Sequence, residues 1–255
     1  MTKGSTKPFE DNIHMTSSTE MDFVTAVEGG APLPIAFKTR AALDDWRREN
    51  DLDALPIGRR RKAIVVSGRV KPWGYPEGYS YQQVWVAANY RRYRDAVKFR
   101  LKTTEGSIKD VHLYDGDHAV SKTRLMQAWP EAWVNMILVE SSVNQSIGAM
   151  MEKDPLLIDV DQDRIDLNAE CILKAFLRKT GPLTRSDLGL YLSACRTRFI
   201  SFSQRQRPVP ISSAPDVLEE FAMSERADRL FVKIAESVGV EPNSVLGKKR
   251  MMIIR

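Results

Sequence analysis

Apolar positions along the chain change their period several times, and each change marks an element. Residues 1–35 are polar at first and then run through Gly29-Gly30-Ala31-Pro32-Leu33-Pro34, which predicts no regular structure. A short helix is expected over Ala41 to Glu49, and a strand at Ala63-Ile64-Val65-Val66. A loop rich in Gly, Pro and Tyr follows, Lys71 to Tyr79. From about Gln82 to Lys102, the positions Val86, Tyr90, Tyr93, Val97 and Leu101 recur at helical spacing. Arg91, Arg94, Lys98 and Lys102 fall off that stripe, so this stretch predicts one helix with a basic ridge.

The second half begins with strands. Val111 and Leu113 alternate with His112 and Tyr114, a short strand, and Val134 to Val139 is dense in apolar and β-branched residues, a second one. Ser142 with Gln145 three residues on is a capping-box pattern, so a helix is expected to start there and to stop before Asp154-Pro155. Val143, Ile147 and Met150 or Met151 would face inward. Beyond Pro155 the pattern is helical: Ile165, Ala169, Ile172, Leu173 and Phe176 make one stripe, closed by Gly181-Pro182. Thr184 with Asp187 opens a helix carrying Leu188, Tyr191, Leu192 and Cys195. A polar loop, Ser201 to Ser213, precedes a last helical region from about Asp216 to Val238, with a break near Ser224. The acids of these helices read as solvated faces and both cysteines as core.

Composition narrows the class. The chain has 255 residues and 43% hydrophobic positions, enough for a sizeable core. No apolar run approaches a membrane span, and the polar N-terminus lacks the apolar stretch of a secretory signal, so a cytoplasmic protein is expected. Two cysteines, Cys171 and Cys195, can make neither a disulfide framework nor a four-thiolate zinc site. The net charge of +5 is uneven. Residues 56–110 hold 13 Lys/Arg against four acids, a local +9, so the other 200 residues sum to −4. Such a concentration is an electrostatic footprint for a polyanion, and Trp73, Tyr75, Tyr90 and Tyr93 lie among the bases. Its bland counterpart is a solvated helix face.

Three histidines are present: His14 in the tail, His112, and His118 in Tyr114-Asp115-Gly116-Asp117-His118. His112 reads as a packing residue or an extra ligand, and Asp115 as a residue that shapes the turn. Seventeen residues past His118 is Asn135 in the second strand, and nine further is Asn144 at the helix start. This order resembles the HNH nucleases, whose ββα-metal finger is built this way, and most of all the HNH domain of RNA-guided CRISPR nucleases. The segment Val143-Asn144-Gln145-Ser146-Ile147-Gly148 is similar to the Asn-basic-Ser-x-Gly ending common in that family. The resemblance spans about residues 108–153. It departs from many relatives in lacking two Cys-x-x-Cys pairs, so no structural zinc is expected. It also has Asn144 where others have His, and Gln145 where a base often follows. Packing by Val111, Leu113, Trp133, Ile137, Val139 and Ile147 would replace the zinc.

The resemblance implies an α+β chain, a small ββα-metal finger embedded in a mostly helical protein. Its regions would be a flexible segment 1–35, a basic mixed region 36–107, the finger 108–155 and a helical region 156–255. It further implies a metal-dependent endonuclease acting on DNA. His118 would take the proton of the attacking water, as an imidazole titrating near neutrality can. Asp117 and Asn144 would hold Mg²⁺, or another divalent cation such as Mn²⁺, beside the phosphate, and Asn135 would orient the loop. Arg59, Arg60, Arg61, Arg91, Arg94, Lys98, Lys122 and Arg124 would contact the nucleic acid. The C-terminal helices would serve a protein partner or a homodimer. Two other readings stand beside this one: a nucleic-acid-binding or adaptor protein that keeps the finger as a scaffold without cutting, and a helical interaction protein without nucleic acid.

Overall fold

Strands and helices are interspersed from Pro34 to Asp166, and helices alone follow to Leu246, in the computed structural model, which describes residues 23, 33–59, 61–70, 79–104, 114–151, 156, 158–159, 161–178, 183–205 and 214–246. Arg60, the expected strand at Val111 to Leu113, the helix stops Asp154-Pro155 and Gly181-Pro182, and most of the N-terminal segment lie outside these residues. The described elements are β1 (Pro34–Phe37), α1 (Arg40–Glu49), β2 (Asp53–Pro56), β3 (Ala63–Val70), β4 (Tyr79–Ala87), α2 (Tyr93–Thr104), β5 (Tyr114–His118), α3 (Lys122–Ala128), β6 (Trp133–Glu140), α4 (Ser141–Met151), β7 (Arg164–Asp166) and α5 (Ala169–Phe176), then α6 (Leu188–Arg205) behind the 3₁₀ turn Arg185–Asp187, α7 (Ala214–Ser237) and α8 (Pro242–Leu246). The chain is α+β.

All seven strands join one antiparallel sheet in the order β2-β3-β4-β6-β1-β7, with β5 also on β6. Met136 of β6 faces Val84 of β4 and His118 of β5, so those two strands flank β6 on opposite edges. β1 shares the β5 edge, opposite Trp133 and Val134. Seven of the eight β6 residues are buried, which explains their unbroken apolar character. β6 is thus the spine of the whole sheet, pairing with β1, β4 and β5.

α1 covers one face, where Phe37, Leu43, Ile64, Val66, Trp85 and Trp133 form a small core. The Phe37 and Trp85 rings lie 5.3 Å apart, and the Arg40 guanidinium sits 4.7 Å over Trp133. Thr39 caps this helix by accepting from the Ala42 amide at 3.2 Å. A larger core holds Val84, Val86, Val134 and Met136 with Ala96 and Val97 of α2. Every residue of α5 is buried, and Phe176 continues through Phe199 to Phe231 in a line of rings. α5 is therefore the pivot between the sheet and the C-terminal helices.

Several expected boundaries move. Gln82 to Ala87 is strand, not helix, because Val84 and Val86 face one side while Trp85 faces the other, and the ladder to β3 outweighs the overlapping 3.6-residue pattern. The basic helix starts only at Tyr93. Asp115 to His118 is strand rather than loop, and the glycine explains how α2 reaches it: a Cβ on Gly116 would lie 3.1 Å from a Val97 methyl. Ser142 is not a cap, since α4 leaves β6 at Ser141, and the Ser142 hydroxyl instead donates to Glu140 Oε1 at 2.6 Å. Ile165 belongs to β7. α7 runs through Ser224 without a break, and Ser201 to Arg205 extend α6. Pro34 and Ile35, expected to be irregular, are in β1.

Candidate functional site

Asp117 and His118 end β5, and successive strand residues point to opposite faces. Asp117 therefore turns towards α5, where its Oδ2 lies 2.9 Å from Lys174 Nζ. His118 turns towards α2, its ring centroid 4.5 Å from that of Tyr93. The two still approach each other, Nδ1 to Oδ1 at 3.8 Å. His118 is 2% exposed, and its Nε2 has no hydrogen-bond partner among the described residues.

Lys174 organises what lies on the Asp117 side. Its ammonium donates to Glu170 Oε1 at 3.0 Å and to the His118 carbonyl at 3.0 Å, besides pairing with Asp117. Glu170 accepts in turn from the Ser121 amide at 2.9 Å and from Arg124 at 3.0 Å. Among the described residues two carboxylates, Asp117 and Glu170, thus meet two cations, Lys174 and Arg124, with Glu170 and Lys174 both nearly inaccessible. Burial alone would push the Asp117 carboxyl up, but the neighbouring His118 imidazole and the Lys174 ammonium overcome it and hold Asp117 well below the usual carboxylate range. Burial would likewise lower Lys174, yet Glu170 and Asp117 keep its ammonium above the ordinary lysine range.

The two expected metal ligands lie on different elements, Asp117 at the end of β5 and Asn144 in the first turn of α4. Asn144 lies half-buried in the first turn of α4, and among the described residues no hydrogen bond links it to Asp117 or His118. Asn135 is buried in β6 with its Oδ1 unpartnered among the described residues; its main-chain carbonyl, not its side chain, holds the turn after His118, accepting from Ala119 N at 2.9 Å. Among the described residues no group of three or more His, Cys, Asp or Glu side chains is arranged to hold a metal ion. Asp117, the carboxylate a divalent ion needs, is engaged by a buried ammonium. In this arrangement the residues do not fit the ion.

The basic residues do come together. The β2–β3 connection turns through Gly58 and Arg61, both at positive φ, and leaves Arg59, Arg61 and Lys62 exposed. It is tied to the β4–α2 connection: Ala87 N donates to the Lys62 carbonyl at 2.9 Å, and Lys62 Nζ to Asn89 Oδ1 at 3.0 Å. Arg91, Arg92, Arg94 and Lys98 are exposed on that second segment, where the sole described acid, Asp95, pairs with Arg92 at 2.7 Å. Tyr93 carries the ridge onward, with Arg94 5.8 Å and Lys122 5.2 Å from its ring centre. Arg124 is different, turned inward to Glu170 rather than to solvent.

Glu170 and Lys174 are the site residues that sequence reasoning passed over. One signal was available: Glu170 and Lys174 stand four apart in Ala169-Glu-Cys-Ile-Leu-Lys-Ala-Phe176, a helix otherwise apolar all round, which marks a buried pair rather than a wet face. Cys171 and Cys195 are buried as expected, and burial pushes both thiols far above the usual range, so neither is a nucleophile. On the far side of the network, Arg124 and Glu170 border a cavity of about 480 Å³ floored by Met150, Ile165 and Leu188. Comparison with protein families, with curated proteins and with solved structures finds no match for this chain.

Proposed function

We propose that the chain is a DNA-backbone-binding protein built on an HNH-like ββα scaffold, gripping phosphates through its basic ridge without metal-dependent cutting. One observation carries this reading: two basic clusters nearly 30 residues apart in sequence are hydrogen-bonded into one exposed surface through Lys62 and Asn89. Eight exposed bases (Arg59, Arg61, Lys62, Arg91, Arg92, Arg94, Lys98 and Lys122) lie on these segments and at the start of α3, and along residues 57–62 and 88–98 the one described acid is Asp95. Clustered Lys and Arg bind a polyanion by releasing its condensed counterions, whatever the base sequence. Tyr93, packed on His118, holds the Arg94 and Lys122 charges beside its ring. The scaffold reading draws on the order β5, β6, α4, with β5 antiparallel to β6. That the finger is a scaffold and not a catalyst draws on the Lys174 ammonium at Asp117.

A second reading, HNH-type cleavage of DNA with His118 as general base and Mg²⁺ or Mn²⁺ at Asp117 and Asn144, is favoured by one feature: the buried His118 Nε2, which has no partner among the described residues. It requires Lys174 to leave Asp117. The test compares the parent with Arg91→Glu/Arg94→Glu in fluorescence-anisotropy titrations of labelled DNA, and incubates plasmid with both in Mg²⁺. The binding reading expects at least a tenfold loss of affinity in the double variant, since each reversed charge removes one phosphate contact and adds a repulsion, and intact plasmid throughout. Unchanged affinity sinks the ridge as the contact surface. Chelator-sensitive nicking by the parent, lost in His118→Ala, establishes the second reading instead.

A further inference from the structure

One ammonium that meets three oxygen acceptors among the described residues, two of them carboxylates, is a cation site already holding its cation. Among the described residues Lys174 Nζ meets Asp117 Oδ2 at 2.9 Å, Glu170 Oε1 at 3.0 Å and the His118 carbonyl at 3.0 Å. We propose that Lys174 is the resident cation of this site, covalently supplied by α5, and that its removal leaves Asp117, Glu170 and the His118 carbonyl as a divalent-cation site. The inference rests on the ion network alone and stands whether or not the ridge binds DNA.

Three features support it. Carboxylate and carbonyl oxygens are the ligand types that hard divalent cations take, and water can complete their shell. The site is prebuilt, because the carboxylate of Glu170 is fixed by the Ser121 amide and by Arg124, and the His118 carbonyl by its place at the end of β5. Glu170, one of the acceptors, also borders the 480 Å³ cavity beside α5. With Lys174 in place the acceptors are balanced by a charge that cannot diffuse away, and a second cation would meet that ammonium in a poorly solvated interior. Oxygens 3 Å from a nitrogen need draw in by only about 0.5–1 Å to reach Mg²⁺, Mn²⁺ or Ca²⁺ bond lengths.

The test titrates Mn²⁺ into the parent, Lys174→Ala and Asp117→Asn/Lys174→Ala, reading free Mn²⁺ by electron paramagnetic resonance and the unfolding temperature in parallel. Lys174→Ala should bind one Mn²⁺ per chain at least tenfold more tightly than the parent, and its unfolding temperature should climb with Mn²⁺ concentration. The parent and the double variant should do neither. Lys174→Gln, uncharged and shorter than lysine, serves as a second variant with the same expectation. If Lys174→Ala is unfolded in chelator, recovery of its native circular dichroism on adding Mn²⁺ supports the site, and failure to recover overturns it. A Mn²⁺ ion bound by the parent and lost in Asp117→Asn, or no binding by folded variants lacking Lys174, overturns it as well.

Discussion

Replacing Lys174 with methionine keeps most of the side-chain volume in α5 while deleting the charge. The ammonium is completely buried, and the substitution leaves Asp117 Oδ2, Glu170 Oε1 and the His118 carbonyl facing a methyl group. Glu170 keeps Arg124 and the Ser121 amide, but Asp117 retains only the more distant His118 imidazole. Removing one partner of a buried ion pair costs about 3–5 kcal/mol, because the orphaned charge stays desolvated. That is a large share of the roughly 5–15 kcal/mol that holds a domain folded. Equilibrium urea unfolding of the parent, Lys174→Met, Asp117→Asn and the double variant measures it. The double variant should be less destabilised than the sum of the singles, by about 1–3 kcal/mol, since the neutral amide introduced by Asp117→Asn needs no cation. A Lys174→Met protein within about 0.5 kcal/mol of the parent would refute a buried, charged network.

The same network sets a pH window. Asp117 titrates lower in the folded than in the unfolded chain, so its contribution is complete above about pH 4–5 and is lost as acid protonates it; Lys174 titrates higher when folded, so its contribution is complete below about pH 10 and is lost above. The stability gap between parent and Lys174→Met should be flat between those limits and shrink beyond both, as read from urea midpoints across the pH range. Lys122→Ala should weaken DNA binding and leave stability unchanged, whereas Arg124→Ala, which deletes the Glu170 partner, should do the reverse; paired binding and unfolding curves separate them. Gly116→Ala should cost about 1–3 kcal/mol by driving a methyl into Val97, and Val97→Ala in the same chain should recover part of it.

How far the sequence reveals this protein depends on what each residue's neighbours in sequence can report. α1, β3 and β6 follow directly from local pattern, since Leu43, Ile64 and Val134 to Val139 are buried where periodicity puts them. β4 misleads because Val86 and Tyr90 satisfy a helical spacing by coincidence, and only pairing with β3 and β6, both outside the local window, decides for strand. The basic ridge is visible as composition, but that Arg59 and Arg91 share one surface needs the Lys62–Asn89 bond, a contact 27 residues long. The Asp-His pair is visible as a motif, yet its chemistry turns on Lys174, 56 residues beyond His118, and no local rule connects them. Local pattern reports burial well. It reports poorly on which buried charge answers which.

The central claim is that the ridge holds DNA by charge and that no metal takes part. Anisotropy titrations of labelled single- and double-stranded DNA at stepped salt concentrations, each in chelator and in Mg²⁺ and each followed by denaturing electrophoresis, test both halves on one sample. With about five of the ridge bases on phosphates, log K should fall against log salt with a slope near about −4.5 for duplex, identical in chelator and in low-millimolar Mg²⁺ once ionic strength and Mg²⁺ competition are matched, with every strand intact. A flat salt dependence, or strand scission that appears with Mg²⁺ and disappears in Asp117→Asn, would contradict it.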